Sequence, residues 1–200
     1  MLNCICVIFV SPTAFFRNHP RSVLTPPGLH PPLCTPCPTP AFPNGQLPVL
    51  EVDGYPLPQS VAILRYVGKL AGLYPTDYLE AAKCDAVIDS VSDLFSVLRP
   101  IIREQDEAKK MEMKAEAESS YIPTWLDNME KKIGHAGVYF LDKMTIADVL
   151  FATVMAMLKS GKYATIPPNV IDAHPKLVAL AESIMAQPKI AEFIAKTGSK

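Results

Sequence analysis

The sequence has no long apolar run and no excess of charge of either sign. Its longest mainly apolar stretch, Val149 to Leu158, is too short to span a bilayer and is typical of a buried helix. The formal net charge is −1 at pH 7, so the composition gives no electrostatic reason to expect a polyanion. We therefore expect no nucleic acid and no membrane as a partner. Apolar residues make up 49% of the chain, which is enough for a globular core.

The first 44 residues have almost no charge. They contain no Lys, Asp, Glu or Tyr, and their only full charges are Arg17 and Arg21. They hold ten of the twenty prolines. Because each proline ring fixes φ and removes a backbone donor, we expect an extended, irregular segment from Pro26 to Pro43. The run from Met1 to Val10 predicts a short strand or the apolar part of a signal peptide. No basic residue precedes that run and no clear cleavage site follows it, which favours a non-secreted, cytoplasmic protein.

The cysteines do not have the pattern of a disulfide framework. There are five, an odd number, and four of them lie in the first 44 residues. Cys84 stands alone in a helical pattern and is typical of a small core residue. Cys34 and Cys37 have the spacing of a redox CxxC pair, but only ten residues separate Cys37 from Pro48. A thioredoxin-type arrangement needs a helix and a strand in that interval, so the spacing argues against a redox function.

A β-hairpin followed by a helix is predicted directly after the proline-rich segment. Leu47 to Val52 is a β-rich run, Asp53-Gly54 is a strong turn signal, and Tyr55 to Leu57 is the returning strand. Gln59 to Ala71 predicts a helix with Ser60 as its N-cap. The apolar stripe of this helix consists of Val61, Leu64, Val67 and Leu70.

Every segment after Pro75 predicts a helix. Thr145 to Asp148 has the form of an N-terminal capping box, and the helix behind it is apolar nearly all round, so it should be the buried centre. Pro100 should kink or end the first helix of the series. The predicted helices are approximately 79–105, 113–133, 145–158, 174–186 and 188–195. The expected fold class is α+β overall and mostly α.

The run Gly45 to Gly54 (GQLPVLEVDG), followed by Leu57 to Ser60 (LPQS), resembles the second half of the thioredoxin-like domain of cytosolic glutathione transferases of the sigma-like type. The elements follow in the same order, and the all-helical tail is similar to that family's second domain. The resemblance implies a partial thioredoxin-like α/β domain at residues 45–74 and an all-α helical bundle at 78–200. Residues 1–44 stand where the family has the first half of the thioredoxin-like domain, and their proline-rich composition is atypical of it.

The resemblance also implies a glutathione site. In that family the proline matching Pro48 is cis, and the residue matching Leu47, next to Gln46, offers its backbone N–H and C=O to the cysteinyl part of glutathione. Gln59 and Ser60 match the pair that holds the γ-glutamyl end. The physics supports Ser60 in this role, because free N–H groups and the positive end of a helix dipole favour a carboxylate. The alternative is that Ser60 only caps its helix.

Asp85, Asp89 and Asp93 recur every four residues and form one acidic stripe on a helix. We interpret Asp85 as part of a solvated face. Asp93 matches the aspartate that, in related dimers, reaches the γ-glutamyl amine bound in the other subunit, so the resemblance implies a homodimer. A metal site on the stripe is not expected, because carboxylates of one helix rarely complete a Mg²⁺ site unaided.

The function implied by the resemblance is conjugation of the glutathione thiolate to small hydrophobic electrophiles, with glutathione as co-substrate and no metal. The family carries a tyrosine near the end of its first strand, which stabilises that thiolate. This sequence has no tyrosine before Tyr55, so we expect little or no transferase activity.

Three explanations of the missing tyrosine stay open. In the first, residues 1–44 come from a mis-joined or alternative first exon. In the second, the protein is a non-catalytic binding or structural member of the family, as lens crystallins of this lineage are. In the third explanation, an unrecognised residue among residues 1–44 activates the thiol. A glutathione-dependent isomerase is the alternative enzyme.

Overall fold

A computed structural model describes residues 48–135, 137–160, 167 and 169–197. The predictions made for residues 1–47 lie outside this part of the chain. They are the extended segment, the strand at Met1 to Val10, the interpretation of Cys34 and Cys37, and the roles of Gln46 and Leu47. Within the described residues, no helix is both long enough and apolar enough to cross a membrane.

The first described element is a β-hairpin. Strand β1 (Val49–Val52) pairs antiparallel with β2 (Tyr55–Pro58). The two turn residues, Asp53 and Gly54, have φ angles of 50° and 79°. A two-residue turn of type I′ needs positive φ at both positions, and Asp-Gly is a pair that tolerates it. The structure confirms the predicted hairpin.

Helix α1 (Ser60–Leu70) follows the hairpin and buries Leu64 and Val67 of the predicted stripe, but not Leu70. The stripe runs through Gly68, whereas Leu70 is 55% exposed and the prediction of its burial is wrong. The physical reason is a close approach at Gly68, where an added Cβ would overlap Cγ2 of Ile146. Glycine lets α1 approach the next domain on this side, and Leu70 then faces solvent. The buried residues of α1 are Ile63, Leu64, Val67 and Gly68.

Helix α2 (Tyr78–Arg103) is 26 residues long. Asp77 caps it by accepting from two backbone N–H groups of the first turn, each at 3.0 Å. The sequence predicts that Pro100 either kinks or ends this helix. The helix continues past Pro100 to Arg103, so the proline does not end it. The N–H of Glu104 donates to the carbonyl of Pro100 at 3.0 Å, so one more turn closes beyond the proline, which itself has no N–H to donate. Cys84 is buried, as predicted.

The next helical region differs from the single helix predicted at 113–133. It begins earlier, as α3 (Glu107–Glu116), where the carboxylate of Asp106 caps two N–H groups. Helix α3 buries no residue, so it has no apolar period that a sequence pattern could detect. A π-helical segment (Ala117–Tyr121) joins it to α4 (Ile122–Lys131).

Helix α5 (Ile146–Lys159) is the buried centre of the helical domain, as predicted. Its capping box is present. The carboxylate of Asp148 accepts from the N–H of Thr145 at 2.7 Å and from that of Phe140 at 2.8 Å. Burial raises the pKa of Asp148, and these hydrogen bonds act against that effect. The ring of Phe140 meets Phe151 edge-on, with 5.2 Å between the centroids.

Helices α6 (Pro175–Met185) and α7 (Pro188–Thr197) complete the described fold. A side chain of α4 caps the N-terminus of α6. Glu130 of α4 accepts from the N–H of Lys176 at 3.0 Å, and its other oxygen lies 3.5 Å from Nδ1 of His174, the buried residue before α6. The described chain is mostly helical with one two-stranded sheet, which confirms the predicted fold class.

Candidate functional site

The N-terminus of α1 presents unused backbone donors. Gln59 is the N-cap, because its C=O accepts from the N–H of Ile63 at 3.0 Å, and none of the described side chains caps the helix. Ser60 is the first helical residue, so the prediction that it is the N-cap is wrong. The first turn contains no acidic residue. The free N–H groups and the positive end of the helix dipole are therefore open to an anionic ligand.

Gln59 holds an uncommon backbone conformation, with φ of 75° and ψ of 113°. Among the described residues, the other non-glycine residue with positive φ is Asp53, which the hairpin turn explains. Such a conformation costs about 1 to 3 kcal/mol and is found mostly at ligand and active sites. Here it turns the chain from β2 directly into α1 and leaves Gln59 exposed and Ser60 half-buried. No sequence signal predicts this strain, because glutamine has no preference for positive φ.

The hairpin brings Pro48 to the same end of the sheet as Gln59. Val49 pairs with Pro58 in the strand register, so the residues just outside that pair, Pro48 and Gln59, are neighbours across the hairpin. Pro48 is half-buried. Three of the predicted site residues, Pro48, Gln59 and Ser60, therefore lie together where the hairpin meets α1.

An ion-pair cluster fixes α1 against α2. Arg65 donates from Nε to Asp85 at 2.7 Å and from Nη2 to Asp89 at 3.0 Å. The hydroxyl of Tyr74, in the connection between the helices, donates to the second oxygen of Asp85 at 2.8 Å. The interpretation of Asp85 as a solvated residue is therefore wrong. Its partner Arg65 is twenty residues away in sequence, which leaves no local pattern to detect.

The electrostatics of this cluster keep its donors protonated. Burial is the largest cause that raises the pKa of Tyr74 to about 12, followed by the hydrogen bond to Asp85 and the charge of that carboxylate. Burial lowers the pKa of Arg65, but the hydrogen bonds and charges of Asp85 and Asp89 outweigh it and raise the pKa overall. The contact between α1 and α2 is thus intact at neutral pH.

Asp93 lies on the same acidic stripe but outside that cluster. It is exposed and lines a groove of about 650 Å³ between α2, the π-helical segment and α4. Neither Gln59 nor Ser60 lines this groove. Within one chain the structure does not bring Asp93 into the site at α1, and its role across a subunit interface stays a prediction. Among the described residues, no group of three or more His, Cys, Asp or Glu side chains could hold a metal ion.

Comparison with known proteins identifies the family to which this fold belongs. The family models "Glutathione S-transferase, N-terminal domain" and "Glutathione S-transferase, C-terminal domain" match residues 39–69 and 92–197. Mouse hematopoietic prostaglandin D synthase is 32% identical over 160 residues, which are 78% of this chain and 75% of that protein. S-crystallin SL11 of Nototodarus sloanii is 31% identical over 159 residues, with the same coverage of 78% and 75%. The solved structure of prostaglandin synthase D of Nilaparvata lugens has a TM-score of 0.73 at 30% identity, covering 81% of this chain and 79% of that one. This chain belongs to the glutathione S-transferase family.

Family membership confirms the resemblance predicted from the sequence, including its lineage, since prostaglandin D synthases and an S-crystallin are among the relatives. A relative from Anopheles gambiae, 32% identical, is named as a glutathione S-transferase, and the chain is thus a member of an enzyme family. Pro48, Gln59 and Ser60 all lie within the residues that match the N-terminal domain.

Proposed function

We propose that this protein binds glutathione at the start of α1, and that its chemistry is conjugation of the glutathione thiolate to small hydrophobic electrophiles. The observation that carries the proposal is the strained Gln59 immediately before a helix N-terminus that is capped by no side chain of the described part of the protein. An exposed amide, which can both donate and accept, stands there beside free backbone N–H groups and the hydroxyl of Ser60. This combination suits an α-amino acid group, because the helix end attracts its carboxylate and the amide oxygen accepts from its ammonium. The γ-glutamyl end of glutathione is such a group.

The remainder of the tripeptide extends from Ser60 toward Pro48. The backbone of Leu47, with Gln46 beside it, pairs with the cysteinyl part as an added strand pairs with a sheet edge. Asp93 meets the γ-glutamyl ammonium of glutathione held by a second subunit, so the working unit is a homodimer. Its location is the cytoplasm.

Conjugation requires the thiolate form of glutathione. A thiol with its ordinary pKa of about 8.5 is mostly protonated at pH 7, and a nearby hydroxyl donor lowers that pKa by favouring the charged form. The sequence has no tyrosine before Tyr55 to supply that hydroxyl. This observation favours a second candidate function, a non-catalytic glutathione-binding or structural protein. A glutathione-dependent isomerase would use the same thiolate and has the same requirement.

Titration calorimetry with fragments of glutathione tests the site. Both glutathione and γ-glutamylcysteine should bind, whereas cysteinylglycine, which lacks the γ-glutamyl group, should not. Ser60→Ala should weaken glutathione binding by about 1 to 2 kcal/mol, since a hydrogen bond to a charged group is lost.

Ser92→Ala is the matched control, because the hydroxyl of Ser92 bonds to a carbonyl within α2 at 3.2 Å and lies in a different element. If the parent and Ser60→Ala bind glutathione with equal affinity, the hydroxyl of Ser60 does not contact glutathione. Equal affinity for cysteinylglycine and glutathione would contradict the assignment of the γ-glutamyl end.

A further inference from the structure

The register of the hairpin determines which backbone groups each of its two strands turns outward. In the part of the chain that the structure describes, β1 and β2 form a two-stranded sheet. Val52 and Tyr55 are the first and last residues of the turn, and in such a turn the C=O of the first accepts from the N–H of the last. Bonded and non-bonded pairs alternate along an antiparallel ladder, so Leu50 and Leu57 form the next bonded pair.

The two edges of the hairpin therefore differ. The remaining pairs, Val49–Pro58 and Glu51–Pro56, direct their backbone groups away from the partner strand. On the β2 side both residues are prolines, so this edge has no N–H to donate and cannot complete a ladder. On the β1 side each residue has a donor and an acceptor, and neither has a backbone hydrogen bond to another described element. A further strand can pair with β1 but not with β2.

The faces of the hairpin set what such a strand must contain. Leu50 and Leu57 are partly buried against the core, whereas Glu51 is exposed. A strand added beside β1 continues both faces, and its side chains point alternately to one face and the other. At least every second side chain of that strand must therefore be apolar.

The start of this chain meets these requirements. The run from Met1 to Ser11 is the longest stretch without proline among the first 44 residues, so it keeps an N–H at every position after the first. Met1 to Val10 has no charged side chain and ends in Val7-Ile-Phe-Val10, which is typical of a strand. Residues 11–47 connect it to Pro48, and this is well above the length of about a dozen residues that a parallel crossover needs.

We propose that Met1 to Val10 pairs with the open edge of β1 as the third strand of the sheet. A two-stranded hairpin is marginally stable by itself, and a third strand with an apolar face adds the stability that it lacks. The inference goes beyond the proposed function, since it involves neither glutathione nor the N-terminus of α1.

A second copy of the chain is a poorer occupant of this edge. Its own β1 is four residues long and carries the exposed carboxylate of Glu51. A two-fold contact would set the two β1 edges side by side, with both carboxylates on one short ladder, and like charges across a ladder are destabilising. The uncharged run at the start of the chain brings no such repulsion.

Amide hydrogen exchange of the full chain, followed by NMR, reports on the edge directly. The N–H groups of Val49 and Glu51 should exchange at least about tenfold more slowly in the parent than in a variant that cannot form the third strand. The N–H of Leu50, which is bonded within the hairpin, is the internal reference.

Proline at two successive positions provides the matched variants. Successive N–H groups of a strand point to opposite edges, so one of Cys6→Pro and Val7→Pro removes a donor to β1 and the other removes one that faces solvent. We expect one variant to lose the protection of Val49 and Glu51 about tenfold or more, and the other to keep it within about threefold. Circular dichroism checks that both variants fold.

Three results would overturn the proposal. The first is exchange at Val49 and Glu51 in the parent as fast as that of an unstructured amide. The second is the same protection in Cys6→Pro and Val7→Pro, because only a paired strand distinguishes neighbouring positions. The third is protection that rises with protein concentration, which would assign the edge of β1 to a second copy.

Discussion

Replacing Gly68 by alanine tests whether α1 and α5 pack as closely as the structure indicates. An added Cβ would overlap Cγ2 of Ile146 and lie 3.1 Å from its Cδ1. Both residues are buried, so the overlap cannot be relieved toward solvent. Overpacking costs about 1 to 3 kcal/mol, whereas alanine in place of a helical glycine gains roughly 0.5 to 1 kcal/mol. Gly68→Ala should therefore lower the free energy of unfolding by up to about 2.5 kcal/mol.

The sign of that effect should reverse when Ile146 is also replaced. Ile146→Ala deletes Cγ2 and Cδ1, costs about 2 to 5 kcal/mol by itself, and leaves room for the new methyl group. In that background Gly68→Ala should stabilise the protein by roughly 0.5 to 1 kcal/mol, through helix propensity alone. Urea unfolding of the four proteins, followed by circular dichroism, gives the double-mutant cycle. A Gly68→Ala protein no less stable than its parent would refute the contact, and additive effects of the two substitutions would do the same.

Three further predictions follow from contacts and motifs described above. Glu130→Ala removes the acceptor for the N–H of Lys176 and should cost about 1 to 2 kcal/mol of unfolding free energy; urea unfolding of Glu130→Gln, which keeps an acceptor, should show a smaller loss. Tyr74 has a folded pKa of about 12, above its ordinary value of 10.0, so its contribution to stability is complete below pH 10.0 and is lost as the pH rises to about 12. Asp85→Asn should move the absorbance transition of this tyrosinate to lower pH. An unshifted transition would contradict the contribution of Asp85 to the raised pKa of Tyr74. The chain should show little or no conjugation of a chloronitrobenzene substrate, while a chimera whose residues 1–44 are replaced by a tyrosine-bearing family first half should be active. Equal turnover of both would mean that another residue activates the thiol, and an inactive chimera would favour the binding or structural role.

The parts of the fold that the sequence predicts well have signals confined to a few neighbouring residues. The chemistry of the hairpin turn is complete within Asp53 and Gly54, and that of the capping box within Thr145 to Asp148. Helix α3 shows the opposite case. It has no fully buried side chain, and Met113 is only partly buried against the core, so neither its start nor its separation from α4 produces an apolar period.

The identities of the candidate site residues are predictable from the sequence, but their geometry is not. Ser60 is identified by its place in a motif, whereas the residue that begins the helix is decided by the positive φ of Gln59. That conformation is set by how the hairpin docks on the helices, since glutamine does not favour it. The partners of Asp85 are 20 and 11 residues distant in sequence, and such pairs exist only once the helices have packed.

The π-helical segment sets the helical phase of α4 relative to α3. Met113 and Trp125 both line the groove although twelve positions separate them. In an uninterrupted α-helix, with about 100° of rotation per residue, twelve positions would leave these side chains roughly 120° apart, on different faces. The wide turn of Ala117–Tyr121 absorbs one additional residue, which removes about 100° and brings the two to within roughly 20° of each other. One surplus residue thus keeps α3 and α4 in phase along their shared wall of the groove, and its deletion would rotate Trp125, together with the core-facing side of α4, out of place.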